Sequence, residues 1–242
     1  MKFNNDNIYK TNRKNSPFRF NEQVASVFPD MIGRSVPGYF EVIKMIEELA
    51  TRFVTNNSHC YDLGCSLGES TLAIDRGIRT EKINIFAIDN SKAMLERCQL
   101  YLSNYKHHAS IELRCEDICK TLIENASMVV LNYTLQFLPL EARDSLLKSI
   151  FDGMNSGGIL LISEKINMAD PTMNQLLIDL HHQFKKNNGY SDLEISQKRN
   201  ALENILITES LNKHLDRLEK AGFQHVSVWQ QQLNFASLIA IK

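Results

Sequence analysis

The stretch His59-Cys60-Tyr61-Asp62-Leu63-Gly64-Cys65-Ser66-Leu67-Gly68-Glu69-Ser70 decides the reading of this chain. A short β-favouring run stops at an acidic residue, passes through two glycines four apart, and enters the amphipathic pattern Thr71-Leu72-Ala73-Ile74. The order predicted is strand, tight loop, helix. Gly64 can take backbone angles closed to other residues and leaves no Cβ in a ligand's way, while the following helix presents unpaired N–H groups to negative charge. Such a loop is a seat for a nucleotide-like molecule.

Three kinds of site can be drawn from these residues. The dinucleotide fingerprint needs G-x-G-x-x-G, but its second and third glycine positions hold Ser66 and Glu69, so a pyrophosphate has poor access. The string also reads G-x-S-x-G, the nucleophile elbow of α/β-hydrolases with Ser66 attacking. That elbow normally follows a strand well inside the sheet, and here no downstream acid and histidine pair stands out. The third reading is the D-x-G-x-x-x-G of S-adenosylmethionine-dependent methyltransferases, met by Asp62, Gly64 and Gly68. It requires an acidic residue at the end of the next strand.

Lys82-Ile83-Asn84-Ile85-Phe86-Ala87-Ile88 supplies that strand and ends at Asp89. Asp89 follows Gly64 by 25 residues (89 − 64), near the separation of about 20 expected for a ribose-binding acid. A carboxylate there accepts hydrogen bonds from both ribose hydroxyls. An acid after a strand can also be a helix N-cap, but Asn90 and Ser91 are better placed to cap.

With 242 residues the chain can bury a full core, and one domain with a small insertion is expected. Its 27 basic and 28 acidic residues give a formal charge of −1, so no global basic field argues for a nucleic-acid partner. The five cysteines, Cys60, Cys65, Cys98, Cys115 and Cys119, form no C-x-x-C pair, which suggests reduced thiols in a cytoplasmic protein and no metal site. No apolar run approaches 18 residues, so no membrane association is expected.

Outward from the glycine loop, residues 1–16 are rich in Asn and Lys and read as a loosely held arm before a single domain, 17–242. Pro29 is expected to break a first helix, and a second begins near Gly38-Tyr39 as part of an N-terminal cover over the open end of the sheet. Tyr39 there is either core or within reach of a ligand. Ser110 to Cys115 alternates as a third strand and runs into Glu116-Asp117-Ile118. Loops after successive strands converge on one rim of a doubly wound sheet. Asp117 can thus accept an adenine amino group and Ile118 can pack on the ring, although a turn carboxylate is an equal reading. Ala126 to Leu131 reads as a central strand buried on both faces and ends in Asn132-Tyr133-Thr134-Leu135-Gln136. Many small-molecule methyltransferases place a histidine near that last position, and Gln136 takes no proton at neutral pH. The missing base argues against ordinary methyl transfer.

Ile159 to Glu164 is a fifth strand, and Phe223–Gln232 with Phe235–Ile241 reads as a closing hairpin. The fold class predicted is α/β: the Rossmann-like sheet of class I methyltransferases, mostly parallel, with a C-terminal antiparallel hairpin. A helical insertion, about 165–207, carries Gln197-Lys198-Arg199-Asn200. A Lys-Arg pair is commonly a solvated face, but an arginine facing the site would offer a planar fork to a carboxylate.

The chain resembles the carboxy-S-adenosyl-L-methionine synthase family from about Phe20 to its end. Specific stretches are Val27-Phe28-Pro29-Asp30-Met31-Ile32, Arg34-Ser35-Val36-Pro37-Gly38-Tyr39, Leu135-Gln136-Phe137-Leu138-Pro139 and Leu177-Ile178-Asp179-Leu180-His181-His182-Gln183-Phe184-Lys185, beside the glycine loop itself. The resemblance implies that S-adenosyl-L-methionine is a substrate and that prephenate supplies a carboxyl group. Prephenate would lose carbon dioxide and aromatise to phenylpyruvate, and the hydroxide released would deprotonate the sulfonium methyl group, which then captures the carbon dioxide. No protein base is needed, in keeping with Gln136. The family's ligand contacts fall on Tyr39, Gly64, Cys65, Ser66, Asp89, Asn90, Asp117, Ile118, Asn132 and Arg199, with Arg199 the catalytic contact to the new carboxylate. The resemblance further implies a homodimer and a product used by another enzyme to build 5-carboxymethoxyuridine at the tRNA wobble position. The alternatives are an ordinary small-molecule methyltransferase and a non-catalytic nucleoside-binding module.

Overall fold

A computed structural model describes residues 4–11 and 17–242. Its centre is β4 (Ala126–Asn132), whose first six residues are buried. Side chains alternate across a strand, and here Val129 and Leu131 enter one apolar layer while Met128 and Val130 enter the other. That explains the unbroken apolar run: a strand covered on both sides has no solvent face. Parallel pairing joins β4 to β1 (His59–Leu63), β1 to β2 (Asn84–Asp89), and β2 to β3 (Ser110–Cys115). On its other side β4 pairs in parallel with β5 (Met154–Asn167), which pairs antiparallel with β8 (Phe235–Ile241), itself antiparallel to β7 (His225–Gln232). The order is β3-β2-β1-β4-β5-β8-β7, with the two-residue β6 (Glu209–Ser210) beside β5. The mostly parallel sheet with its antiparallel C-terminal hairpin matches the predicted class.

Helices α2 (Tyr39–Phe53) and α3 (Glu69–Gly77) cover one face through Val42, Ile46, Ala73 and Ile74. The other face is covered by α5 (Leu140–Gly153) and α8 (Leu211–Ala221) through Leu146, Leu147, Ile150 and Leu218. So α2 is a layer helix and not part of a cover over the strand ends; only its first residue, Tyr39, reaches the rim. The cover comes from α1 (Glu22–Ser35) and, after β5, from α6 (Pro171–Asn187) and α7 (Asp192–Leu202).

Two expectations are corrected here. Pro29 does not end a helix: α1 runs through it, capped by Asn21, whose side chain accepts from the Val24 N–H at 3.1 Å. Burial of Val24, Ala25, Val27 and Met31 on one side offsets the single hydrogen bond that proline cannot make. Nor is the start of the chain loosely held over residues 4–11. Asp6 is 1% exposed and takes a hydrogen bond from the Tyr190 hydroxyl, while Arg34 donates to the Asp6 carbonyl at 2.8 Å and Ile8 joins an apolar cluster with Phe18 and Met31. A buried carboxylate needs partners, and the insertion supplies them. The rest of the expected arm, 1–3 and 12–16, lies outside the described residues.

Candidate functional site

Along the carboxyl end of the sheet, in the order β3, β2, β1, β4, β5, the chain presents Asp117, Asp89, Gly64, Asn132 and Lys165. In the β1–α3 loop the Gly64 and Cys65 N–H groups both donate to the Ile88 carbonyl, at 2.8 and 2.9 Å, which locks the loop to the end of β2. Gly64 has φ 84°, and a Cβ there would lie 2.4 Å from both Cγ2 and Oγ1 of Thr134. The glycine therefore serves the close approach of the segment after β4, and that approach narrows the site from the side. Ser66 also takes a left-handed φ, 51°, and its N–H donates to Asp89 at 2.9 Å.

Asp89 closes a ring of local contacts, since its other oxygen accepts from the Ser91 N–H at 2.8 Å. Burial raises its pKa against these two bonds. Each oxygen keeps a lone pair free for a hydroxyl. Ser91 caps α4 (Lys92–Leu102), as the sequence suggested. Asp117 is half exposed and accepts from the Cys119 N–H at 3.0 Å, a turn contact that leaves its second oxygen toward Lys120 at 4.0 Å. At the bottom of the site Asn132 donates to the Ser70 hydroxyl at 3.1 Å; behind the cavity wall, on β1, buried Asp62 accepts from Thr71 at 2.6 Å. The remaining side-chain oxygens of Asp62 and Asn132 are buried with no donor. Burial pushes the Asp62 carboxyl up to about 7. The orphaned Asn132 oxygen and the free lone pairs of Asp89, beside a glycine loop, suit a ligand that brings an ammonium group and hydroxyls, so the residues present fit S-adenosyl-L-methionine.

Nine of the ten residues picked out from the sequence line a single cavity of about 370 Å³: Tyr39, Gly64, Cys65, Ser66, Asp89, Asn90, Asp117, Ile118 and Asn132. The tenth, Arg199, does not. It is exposed on α7, while its neighbour Lys198 is buried and lines the cavity. Successive residues of a helix point about 100° apart, so the two cannot face the same way. A second cavity of about 490 Å³, between the Phe18 segment and α7, contains none of the ten.

The cavity also holds side chains that the sequence did not pick out as ligand contacts: Tyr133, Lys165, His181, Lys185, Lys198 and Phe235. His181 and Lys185 are four apart on α6, one face of a helix, which was the available signal. His181 puts a histidine where none was foreseen, and its effect on the argument from Gln136 is chemical. Its Nε2 lies 2.8 Å from the Ser35 carbonyl, which makes that nitrogen the donor. Burial first, then Lys185 and Lys165, lower its pKa to about 2. The ring is neutral and a very weak base. Gln136 itself is buried, donating to the Tyr133 carbonyl and accepting from the Lys165 N–H, so its amide braces the turn. Among the described residues no group of three or more His, Cys, Asp or Glu is placed to hold a metal ion, and no helix is long and apolar enough to cross a membrane.

Comparison with known proteins agrees with this geometry. A family model described as "Methyltransferase domain" matches residues 61–158. In fold the chain is similar to human N-acetylserotonin methyltransferase in complex with SAM, at TM-score 0.59 and 15% identity over 91% of this chain and 55% of that one. It is also similar to an O-methyltransferase family protein from Burkholderia thailandensis, at TM-score 0.62 and 15% identity over 95% and 65%. Among curated sequences, the carboxy-S-adenosyl-L-methionine synthase of Idiomarina loihiensis is 54% identical over 94% of each chain. That of Actinobacillus pleuropneumoniae serotype 5b is 51% identical over 99% of this chain and all of its own. At this identity and coverage, with the class I methyltransferase sheet and the cavity at its carboxyl edge, the chain belongs to the carboxy-S-adenosyl-L-methionine synthase family of enzymes.

Proposed function

We propose that this enzyme moves the carboxyl group of prephenate onto the sulfonium methyl carbon of S-adenosyl-L-methionine. Prephenate gives up carbon dioxide and hydroxide and becomes phenylpyruvate; hydroxide takes one methyl proton and leaves as water; the methyl carbon bonds to carbon dioxide. Atoms and charge balance without a protein base. The observation that carries this reading is the polarity of the rim: acids at its β3 and β2 end, Asp117 and Asp89, and lysines at its β5 end. Carboxylates suit the hydroxyls and amino group of an adenosyl moiety, whereas a lysine wall suits an anionic second substrate. A neutral methyl acceptor would not need that wall.

In this reading Asp89 takes the ribose, Asp117 and Ile118 the adenine, and Asn132 the methionine amino group. Arg199 is assigned to the new carboxylate. Its exposed position supports a contact made from a second copy of the chain in a homodimer. The product is consumed by a separate enzyme that modifies the tRNA wobble uridine in the cytoplasm, so this chain binds no RNA; its formal charge of −1 supports that.

The test is incubation with S-adenosyl-L-methionine and prephenate, followed by mass analysis of the nucleoside. A gain of one carbon dioxide is expected. S-adenosylhomocysteine formed with an added acceptor, and no carboxylated nucleoside, refutes the proposal in favour of methyl transfer.

A further inference from the structure

The lysines at the β5 end differ in one respect that decides what each can do. Lys198 is matched: its ammonium donates to the Ser35 hydroxyl at 2.9 Å and lies 3.8 Å from the Asp6 carboxylate. Lys185 is 9% exposed, and among the described residues neither it nor Lys165 has a carboxylate within ion-pair distance. The undescribed residues 1–3 and 12–16 contain no Asp or Glu. Burial, then Lys198 and Lys165, bring the Lys185 ammonium down to about 7, and burial alone lowers Lys165. Two basic groups on one cavity wall, each within electrostatic reach of the other and with no counter-ion, are costly to charge, and that wall is open to a ligand.

The surface around them is aromatic. The Lys165 ammonium lies 6.0 Å from the centre of the Phe235 ring, and that ring packs edge-on against His181 at 4.9 Å and Tyr133 at 6.0 Å. Tyr39 continues the wall, 6.3 Å from Tyr133. A carboxylate joined to a flat unsaturated ring complements this corner.

Prephenate carries two carboxylates with opposite fates, and the chemistry separates them. An ion pair to the carboxylate that departs as carbon dioxide stabilises the ground state and vanishes in the transition state, which slows the reaction. The carboxylate of the 2-oxo acid survives unchanged, so holding it costs nothing in rate. Resting on the function proposed above, we propose that Lys165 and Lys185 form the subsite for the 2-oxo-acid carboxylate, with the ring against Phe235 and Tyr133 and the departing carboxylate left unpaired.

The experiment uses the full chain with Lys165→Met and Lys185→Met, and Lys185→Arg as the charge-retaining control. Three quantities are read: KM for prephenate, Kd for phenylpyruvate in the presence of S-adenosyl-L-methionine, and Kd for S-adenosyl-L-methionine alone. Phenylpyruvate is the probe because it keeps only the 2-oxo-acid carboxylate. The expected result is that both Met variants raise the first two by about 10- to 100-fold, leave the third unchanged, and that Lys185→Arg recovers most of the loss. Thermal unfolding should not fall for Lys185→Met, since removing an unpaired buried charge does not destabilise; Lys165, half-buried, gives an independent variant. Unchanged phenylpyruvate affinity overturns the proposal, whether or not turnover falls. An equal loss of S-adenosyl-L-methionine affinity also overturns it, placing the lysines on the methionine carboxylate. Failure of the wild-type chain to make any carboxylated nucleoside is a different result and refutes the function itself.

Discussion

Replacing Gly64 with Ala tests why the loop carries a glycine, and the structure gives the size of the effect. The backbone φ of 84° is left-handed, which costs an L-residue about 1–2 kcal/mol. The new methyl would sit 2.4 Å from Cγ2 and Oγ1 of Thr134 and 3.0 Å from its Cβ. The loop cannot simply move away, because the Gly64 and Cys65 N–H groups are both held by the Ile88 carbonyl. Overpacking of this kind costs about 1–3 kcal/mol. Gly64→Ala should therefore destabilise the ligand-free protein by about 2–5 kcal/mol. Thr134→Ala removes both atoms at 2.4 Å and leaves only the Cβ at 3.0 Å, so the double variant should recover most of the steric part and keep chiefly the backbone part, about 1–2 kcal/mol. The assay is urea unfolding of wild type, both single variants and the double variant without ligand, completed by titration with S-adenosyl-L-methionine. If Gly64→Ala unfolds like wild type and loses only ligand affinity, with no rescue by Thr134→Ala, then the glycine exists to clear the ligand and the packing argument is refuted.

Asp89→Asn should weaken S-adenosyl-L-methionine binding about 10- to 100-fold by calorimetry, because an amide cannot accept from Ser66, Ser91 and the ribose at once; unchanged affinity would remove Asp89 from the ribose. Lys185 is pushed down to about 7 and Lys198 to about 8, with Lys165 from β5 and Asp6 from the N-terminal segment facing them. An anion raises a lysine's pKa, so prephenate binding should take up protons near pH 7 and weaken as pH rises above about 8; calorimetry in two buffers of different ionisation enthalpy reads the uptake, and none would contradict the assignment. Glu209 joins fully buried Arg143 at 2.6 Å and Arg217 at 2.8 Å, so Glu209→Ala should cost about 3–5 kcal/mol of stability in urea unfolding. Burial pushes the Glu209 carboxyl up, but its bonds to Arg217 and Arg143 outweigh that and hold it at about 2. Its contribution is therefore complete above the unfolded carboxylate range near 4.5 and is lost as pH falls toward 2; a flat acid unfolding profile for wild type relative to the variant would show that the network is not formed.

What the sequence revealed and what it hid divide along contact range. The glycine loop, Asp89 and Asn132 stand at strand ends, and each strand end is marked by local pattern, so their convergence on one rim follows from the doubly wound topology. The lysine corner has no such mark. Lys165, Lys185 and Lys198 come from a strand and two helices, and whether a lysine is paired depends on acids far away in the chain. Asp6, which matches Lys198, lies 192 positions from it (198 − 6). For the same reason residues 4–11, polar and short, read as a solvated arm, although the Asp6 carboxylate meets Tyr190 184 positions later. The Lys198-Arg199 pair shows the limit of motif reading at its sharpest, because a one-residue step on α7 separates a buried cavity lysine from an exposed arginine. Pro29 fails as a helix stop because the packing of α1 outweighs one lost hydrogen bond.

The corner and the rim also differ in how the fold supplies them. Asp117, Asp89, Gly64 and Asn132 belong to the sheet's own strand ends and loops. Lys165 stands on β5, but Lys185 and Lys198 depend on α6 and α7, which the sheet does not require, and the N-terminal segment neutralises one of them. Asp6 takes the charge of Lys198 out of the cavity's balance, held there by Tyr190 and by Arg34, which also lies 4.0 Å over the Tyr190 ring. Without that carboxylate three cations would share the wall; with it, the unmatched charge is confined to Lys165 and Lys185. One segment outside the sheet thereby sets how much negative charge the cavity demands, and the demand left over matches a single carboxylate on an aromatic surface better than it matches a polyanion.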